Sequence, residues 1–497
     1  MFTPASLFGN GAVLCRGKVI RLFGEAEDGK TVRAELRDEN GALLAGGEST
    51  AAGGRFLIFL PPQEAREGCS LFFECQEEQV ISRDILVGDV YLAGGQSNME
   101  LALRDADEGK ARISTHNAPQ VRYFHVPKCP IKDEKQKEEG RKAHWQKIVP
   151  GSGADMSAVA YFFAMEANRE KNVPVGVIDC WWGGTSITCW MEESWLRGTR
   201  EGTLYLDKYE AQCGGKTLEA YYAEEAAWQK EMDEWNRSVD LFRTEHPNCV
   251  WDEVIQACGY CPWHPPVGLA SPYRPAGLAE PMLKTVAPAA LTGILFYQGE
   301  ADAGQTHHYD TLLEQMIFYW RQLFRDEGLP FLNVQLPMWR DEGAEDTFTW
   351  PEIRLCQARV RDRIRNTGMI CMMDQGEFNN IHPTNKRVVG ERLWMEAREV
   401  VYGEKTEKAP RALYICPEGD RIRVVLSAPV VMRGEGELLL EIAGEDEKYV
   451  PACVELTENG MILTGVTHPV HARYGHTDYA VVKLFGRNGL PLEPFLQ

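Results

Sequence analysis

The sequence predicts an α/β protein: a doubly wound parallel sheet with an all-β module at each end. Three observations predict it. Between about residue 86 and residue 404, short apolar strand candidates alternate with amphipathic helical stretches, the pattern of a parallel sheet covered by helices. Both ends instead read as short strands divided by turn residues. The chain of 497 residues is also longer than one ordinary core fills, so separate modules are expected.

In chain order, residues 1–85 hold the strand candidates "VLCRGKVIRLFG", "KTVRAELRD", "RFLIFLPP" and "SLFFECQ", with "DENG" and "AAGG" between them, and predict a small β-sandwich. Residues 86–404 carry the strands "DVYLAGG", "VRYFHV", "VPVGVIDCWW", "LTGILFYQG", "PFLNVQLP" and "GMICMMD". Helical stretches such as "SAVAYFFAMEANREKN", "YDTLLEQMIFYWRQLF" and "PEIRLCQARVRDRIRN" lie between them. A helical insertion at about 193–272 contains a stripe of Leu218, Tyr221, Trp228, Met232, Trp235, Val239 and Phe242, broken only by Glu225. Its regular spacing favours a packing seam over a sugar-stacking surface. Residues 405–497 return to strands ("RIRVVLS", "ELLLEIA", "YAVVKLF") and predict a C-terminal β-rich module.

The composition is that of an ordered globular protein, 44% hydrophobic and 25% charged. A net charge of -20 argues against nucleic acid as a partner, since phosphate contacts need a basic face. No apolar run approaches the roughly 20 residues of a membrane helix, and "MFTPASLFGN" has no cationic, then apolar, leader pattern. The 14 cysteines are scattered rather than set in a disulfide framework, so a reducing, cytoplasmic setting is expected. The tightest group is Cys258, Cys261 and His264, with Cys249 upstream; no second pair completes a zinc site, and no metal is expected.

Four predicted strand ends carry polar chemistry. "YLAGGQSN" places Ser97 at a strand-to-helix turn, where it is either an N-cap or a nucleophile beside helix N–H donors. Met99 stands where an α/β-hydrolase elbow has glycine. "WWGGT" places Gly183 and Gly184 where a backbone N–H can meet a substrate oxygen, and "YQGEAD" supplies Gln298 and Glu300. "NNIHPTNK" supplies His382. Strand ends of an open parallel sheet converge on one crevice, and a nucleophile, a base and neutral donors together are what acyl transfer requires.

The blocks "GDVYLAGGQSNME", "MSAVAYFFAMEANREKNVPVGVIDCWWGGTSITCW", "RPAGLAEPMLKTVAPAALTGILFYQGEAD" and "NNIHPTNKRVVGERL" closely resemble the sialate O-acetylesterase family of SGNH (GDSL-like) hydrolases, over most of residues 85–400. The resemblance implies a flavodoxin-like core and serine-dependent deacetylation of carbohydrates without a cofactor. The expected partner is then a small O-acetylated sugar. Carried over, Ser97 is the nucleophile and His382 the base. The Ser97 N–H, an N–H at Gly183 or Gly184 and the Gln298 amide become oxyanion donors. Gln96, Trp181, Trp182 and Arg274 fall on the substrate side, Arg274 as an anion clamp or a structural ion pair.

One position departs from the family pattern. Relatives read Asp-Ile-His-Pro where this chain has Asn380-Ile381-His382-Pro383. In a serine protease triad, the acid-to-amide change costs about ten-thousand-fold in turnover. The sequence leaves several readings: Glu300 supplies the acid, Asp374 or Glu377 does so from the same loop, or Asn380 orients a Ser–His dyad. Glu300 is preferred because it lies at a converging strand end. The alternatives for the whole protein are an acetylxylan or other sugar acetyl esterase, a catalytically impaired glycan-binding protein, and a zinc deacetylase built on Cys258, Cys261 and His264.

Overall fold

One strand, β1 (Glu78–Gly95), runs through two regions of the molecule. The computed structural model describes residues 2–246, 249, 251–263 and 265–497. The first half of β1 pairs antiparallel with Arg66–Cys75, and Val13–Cys15 lies parallel beside Leu86–Gly88. Its second half is the central strand of the α/β region, so an 11-stranded mixed sheet passes without a linker from the N-terminal β region into the core. A three-stranded sheet, including Ile20–Glu25 and Arg55–Leu60, is the other N-terminal layer. Its Phe56 ring lies 6.3 Å from Phe73.

The other core strands are β2 (Ala118–His125), β3 (Trp145–Ile148), β4 (Val175–Trp181), β5 (Gly293–Tyr297), β6 (Phe331–Val334) and β7 (Thr367–Ile370). They lie in the order β3-β2-β4-β1-β5-β6-β7, with only β3 antiparallel to its neighbour. Taken in chain order, the parallel strands run second, third, first, fourth, fifth, sixth. A flavodoxin order would set the first strand between the second and third. Here the third separates the other two. The reversal of winding still falls beside β1, so the crevice opens at its carboxyl end, between β4 and β5.

The main helices are α1 (Ala158–Lys171), α2 (Leu218–Glu245), α3 (Trp251–Cys258), α4 (Tyr309–Leu323), α5 (Thr349–Arg363) and α6 (Lys386–Val400). Side chains of β1 alternate between faces. Tyr91 meets Phe163 of α1 at 4.7 Å, and Phe163 meets Trp394 of α6 at 5.9 Å. Gly94, of opposite parity, lies against Trp320 of α4, whose ring would come within 2.8 Å of an added Cβ. Both faces are therefore covered, and from Val90 to Ala93 β1 is apolar because neither side meets water; the one charge in its core half, Asp89, is buried and paired with Arg16. Ser157 caps α1 by accepting from the Ala160 N–H, and left-handed Asn172 ends it. In the insertion, the α2 stripe is a packing seam: Tyr221 and Val239 are buried, and the Trp228 and Trp235 indoles donate to the carbonyls of Pro262 and Gly259. Among the described residues no helix is long and apolar enough to cross a membrane.

Strands from Ala412–Pro417 to Phe495–Leu496 form three further sheets with their own apolar cluster, shared with Met338, Cys371 and Met373 of the core. Buried Arg354 of α5 donates to the carbonyls of Pro337, Gly475 and Thr477, and Asp478 accepts from the N–H groups of Thr347 and Trp350. Phe378 packs on Tyr479 at 5.3 Å, which props the loop carrying His382.

Gly95 ends β1 at φ +136°, and an added Cβ would stand 2.1 Å from the Tyr297 carbonyl oxygen. Gly95→Ala is expected to cost about 2 kcal/mol or more, read as a lower melting temperature by calorimetry, whereas Gly140→Ala, inside the helix Glu134–Lys142 with open space around it, holds or slightly raises it.

Candidate active site

β1 breaks immediately after Gly95, and Ser97–Glu100 form a single helical turn with Gln96 at its N-cap. The two flanking strand ends hold this turn. Gln96 N–H donates to the Tyr297 carbonyl of β5, and Trp182 N–H, just beyond β4, donates to the Gly95 carbonyl. Ser97 Oγ lies 2.8 Å from His382 Nε2. His382 sits on the loop between β7 and α6, which is pinned by Asn379 N–H donating to the Arg340 carbonyl. The serine and histidine singled out at separate strand ends are thus a hydrogen-bonded pair, 285 residues apart in the chain.

No carboxylate reaches the imidazole among the described residues. Asp374 is held bidentately by Arg392, both contacts at 2.7 Å. Glu300 accepts from Asn98 Nδ2 at 2.7 Å, so it grips the residue after the serine and not the histidine. Asn380 does touch His382, but through the main chain: its Oδ1 accepts the His382 N–H at 3.1 Å, while its Nδ2 donates to Glu377 at 2.7 Å. Burial, with the Lys386 ammonium adding to it, lowers the imidazole to about 4. The ring is therefore neutral at ordinary pH and able to accept a proton.

Beneath the pair lies a buried polar network. Asn98 Nδ2 donates to Glu300 and, at 2.9 Å, to the Ile381 carbonyl, while Asn98 Oδ1 accepts from Lys386 Nζ. Burial lowers Lys386 to about 7 and raises Glu300. Sequence reasoning passed over Asn98 and Lys386. Their signal was present as polar residues at a strand end and a helix start, but their partners lie on other strands.

The expected oxyanion donors divide. Gly183 N–H is already committed to Glu100 Oε2 at 2.6 Å, because Glu100 rises from the same turn as Ser97. Gln298 is fully buried and its amide faces inward: Nε2 lies within hydrogen-bond distance of Gln96, the Thr185 carbonyl and Asp302, and Oε1 accepts from Tyr309. Gln96 is occupied in the same way, its Oε1 accepting from Gln298 and from Ala301 N–H. Gln96 and Gln298 therefore brace the crevice wall. Among the described residues no internal acceptor takes the Ser97 or Gly184 N–H.

The mouth is aromatic. Trp181 and Trp182 are half-buried, with Lys128 Nζ 5.1 Å and 5.4 Å from their ring centres and paired to Glu100. Trp263, 42% exposed, overlies Gly184: a Cβ there would come within 2.2 Å of the indole. It stands edge-on to Tyr273 at 5.5 Å. The sequence placed Trp263 between two metal-ligand candidates, which hid it. Arg274 is half-buried and donates to the carbonyls of Pro130 and Gly277; no described carboxylate pairs with it. His264 lies outside the described residues, and no group of three metal-ligating side chains gathers among those described.

A model of the carbohydrate esterase, sialic acid-specific acetylesterase family matches residues 277–397. The chain is 27% identical over 345 residues to the sialate O-acetylesterase of Mus musculus, covering 65% of this chain and 58% of the mouse protein. It is 25% identical over 444 residues to that of Homo sapiens, covering 81% and 72%. The chain thus spans somewhat over half the length of the mouse relative. The crystal structure of a carbohydrate acetylesterase from Xanthomonas citri superimposes with a TM-score of 0.77 at 26% identity, covering 100% of this chain and 99% of the other.

A fluorophosphonate probe is expected to label wild type and not Ser97→Ala. His382→Ala should slow labelling by about a hundred-fold or more, measured by in-gel fluorescence over time.

Proposed function

We propose that this chain is a member of the sialic acid-specific acetylesterase family of carbohydrate esterases, to which it is similar, and that it hydrolyses O-acetyl esters of sugars with Ser97 as nucleophile and His382 as base. The observation that carries the proposal is the 2.8 Å contact between Ser97 Oγ and His382 Nε2 at the winding reversal of the parallel sheet. The same placement supports reading the core as an SGNH-type hydrolase, in a variant strand order. His382 takes the Ser97 proton as Oγ attacks the acetyl carbonyl. The oxyanion is received by the N–H groups of Ser97 and Gly184. His382 then returns its proton to the departing sugar oxygen, and water repeats the cycle on the acetyl-serine to release acetate.

The expected substrate is an O-acetylated sialic acid, with acetylated xylan fragments and other acetyl sugars as alternatives. Trp181, Trp182 and Trp263 form the wall against which a sugar ring stacks, Lys128 supplies a cation beside it, and Arg274 is the expected anion clamp. The Arg274 guanidinium, with which no described carboxylate pairs, favours an anionic sugar over a neutral one. Fourteen unpaired cysteines support a reducing, cytoplasmic setting.

Acetate release should be followed from O-acetylated sialic acid and from an acetylated xylo-oligosaccharide, with wild type, Ser97→Ala and Arg274→Met. Activity in wild type that vanishes in Ser97→Ala supports the esterase; equal inertness of both would leave a glycan-binding role. Arg274→Met is expected to raise KM on the sialic acid about ten-fold or more and to leave the neutral sugar unaffected.

The pH profile gives an independent check. The competent base is the neutral imidazole, and the environment lowers His382 to about 4. Activity therefore extends to lower pH than an ordinary histidine permits. The acid limb of kcat/KM should fall near pH 4, with full activity at pH 5.5; a limb at the usual histidine value of about 6.5 would contradict this geometry.

A further inference from the structure

The steps above leave Asn98, Glu300 and Lys386 without a role, although all three are buried directly behind the reacting pair. Asn98 is saturated: two acceptors, Glu300 Oε1 and the Ile381 carbonyl, take its Nδ2 hydrogens, and one donor, Lys386 Nζ, satisfies Oδ1. That set permits one orientation of the amide, since a turned amide would face oxygen with oxygen. Asn98 follows Ser97, and Ile381 precedes His382, so the amide ties the nucleophile to the base through two adjacent peptide units. Lys386 follows the His382 loop as the first residue of α6. Its Nζ is 5.4 Å from the centre of the Tyr297 ring, and the side chain is 1% exposed, so it has nowhere else to go.

We propose that Lys386 is a positioning residue of the esterase: by fixing the Asn98 amide it locks the His382 loop onto the Ser97 turn, and it sets a cationic side chain behind the imidazole. This inference rests on the reading of Ser97 and His382 as nucleophile and base. In this arrangement the histidine is oriented from its backbone, with Asn380 accepting its N–H and Asn98 gripping the carbonyl before it, and no described carboxylate holds Nδ1.

The charged and titratable groups around the imidazole come from four places. Ser97 and Glu100 lie on the turn after β1, Glu300 on the turn after β5 behind Asn98, Glu377 on its own loop behind Asn380, and Lys386 on α6. Lys386 is the charge that acts on His382, and its effect is downward. Around Lys386 itself stand Glu300, Glu377 and the Tyr297 ring.

The test uses Lys386→Gln, Lys386→Met and Lys386→Arg, each checked by thermal melting. Acetyl ester kinetics are combined with a titration of His382 by NMR of ¹³C-histidine-labelled protein, assigned with His382→Ala. Lys386→Gln and Lys386→Met are expected to lose about a hundred-fold in kcat with KM little changed. In both, the His382 titration should rise by about one pH unit or more. Lys386→Arg, which keeps the charge, should hold the titration low even where kcat falls. A variant that loses kcat but leaves the titration in place would reduce Lys386 to packing and overturn the proposal, as would wild-type kinetics in Lys386→Gln. A wild type inert towards acetyl esters would sink the esterase reading alone, since the titration reports on Lys386 without turnover. If Lys386→Met fails to fold, Lys386→Gln and Lys386→Arg carry the comparison.

Discussion

The side-chain amide of Asn98 joins four segments that the chain itself keeps far apart: the turn after β1, the turn after β5, the loop before α6 and the first residue of α6. Inside a protein each of these bonds is stronger than in water, and each becomes costly when left unmade, about 1–3 kcal/mol per stranded polar group. The site cannot drift by small degrees. Moving the Ile381 carbonyl away from Asn98 strands an amide hydrogen, and moving Lys386 strands an oxygen. The 2.8 Å distance between Ser97 and His382 follows from this joint together with the backbone bonds on either side.

The joint needs a rigid frame, and both β regions contribute to one. Strand β1 enters the core already paired along the N-terminal sheet, so the position of Ser97 along the strand axis is set by ladders on both halves. On the opposite wall, Phe378 rests on Tyr479, and Gly376 passes so close to the Met338 carbonyl that an added Cβ would stand 1.9 Å from it. Arg354 and Asp478 tie that wall to the C-terminal sheets through backbone groups. The nucleophile is thus positioned from the amino-terminal side and the base from the carboxyl-terminal side, which is what sub-ångström placement of two reacting groups demands.

Strand periodicity and turn chemistry make part of this readable in one dimension. Ser97, Gly184 and His382 each follow an apolar run, and apolar runs of a parallel sheet end at one edge, so their meeting was expected from the sequence. Strand order was not, because nothing in "VRYFHV" or "VPVGVIDCWW" states which neighbour it pairs with. The same limit explains Gln298 and Glu300. Both stand at the correct strand end, yet their direction is decided by Asp302, Tyr309 and Asn98, two of which come from residues that look unremarkable in the chain. Trp263 is a case of a stronger false signal: flanking cysteine and histidine suggested metal, while the indole itself, held out by bonds from Trp228 and Trp235 to its loop, covers the glycine turn.

The amide at position 380 follows from the same physics. Asn380 makes two bonds of opposite sense, accepting the His382 N–H through Oδ1 and donating to Glu377 through Nδ2 at 2.7 Å. An aspartate in this conformation would still accept from the backbone, but it has no hydrogen for Glu377. Two carboxylates would then stand at contact distance in a half-buried loop, a geometry that forces one of them to take up a proton. With Glu377 present, asparagine is the residue that satisfies both neighbours. The negative charge expected beside the histidine has moved one hydrogen bond outward, to Glu377. The imidazole in turn is held by its own backbone rather than by a described carboxylate on Nδ1, and it stays neutral further into acid because burial disfavours its charged form and the Lys386 ammonium adds to that effect.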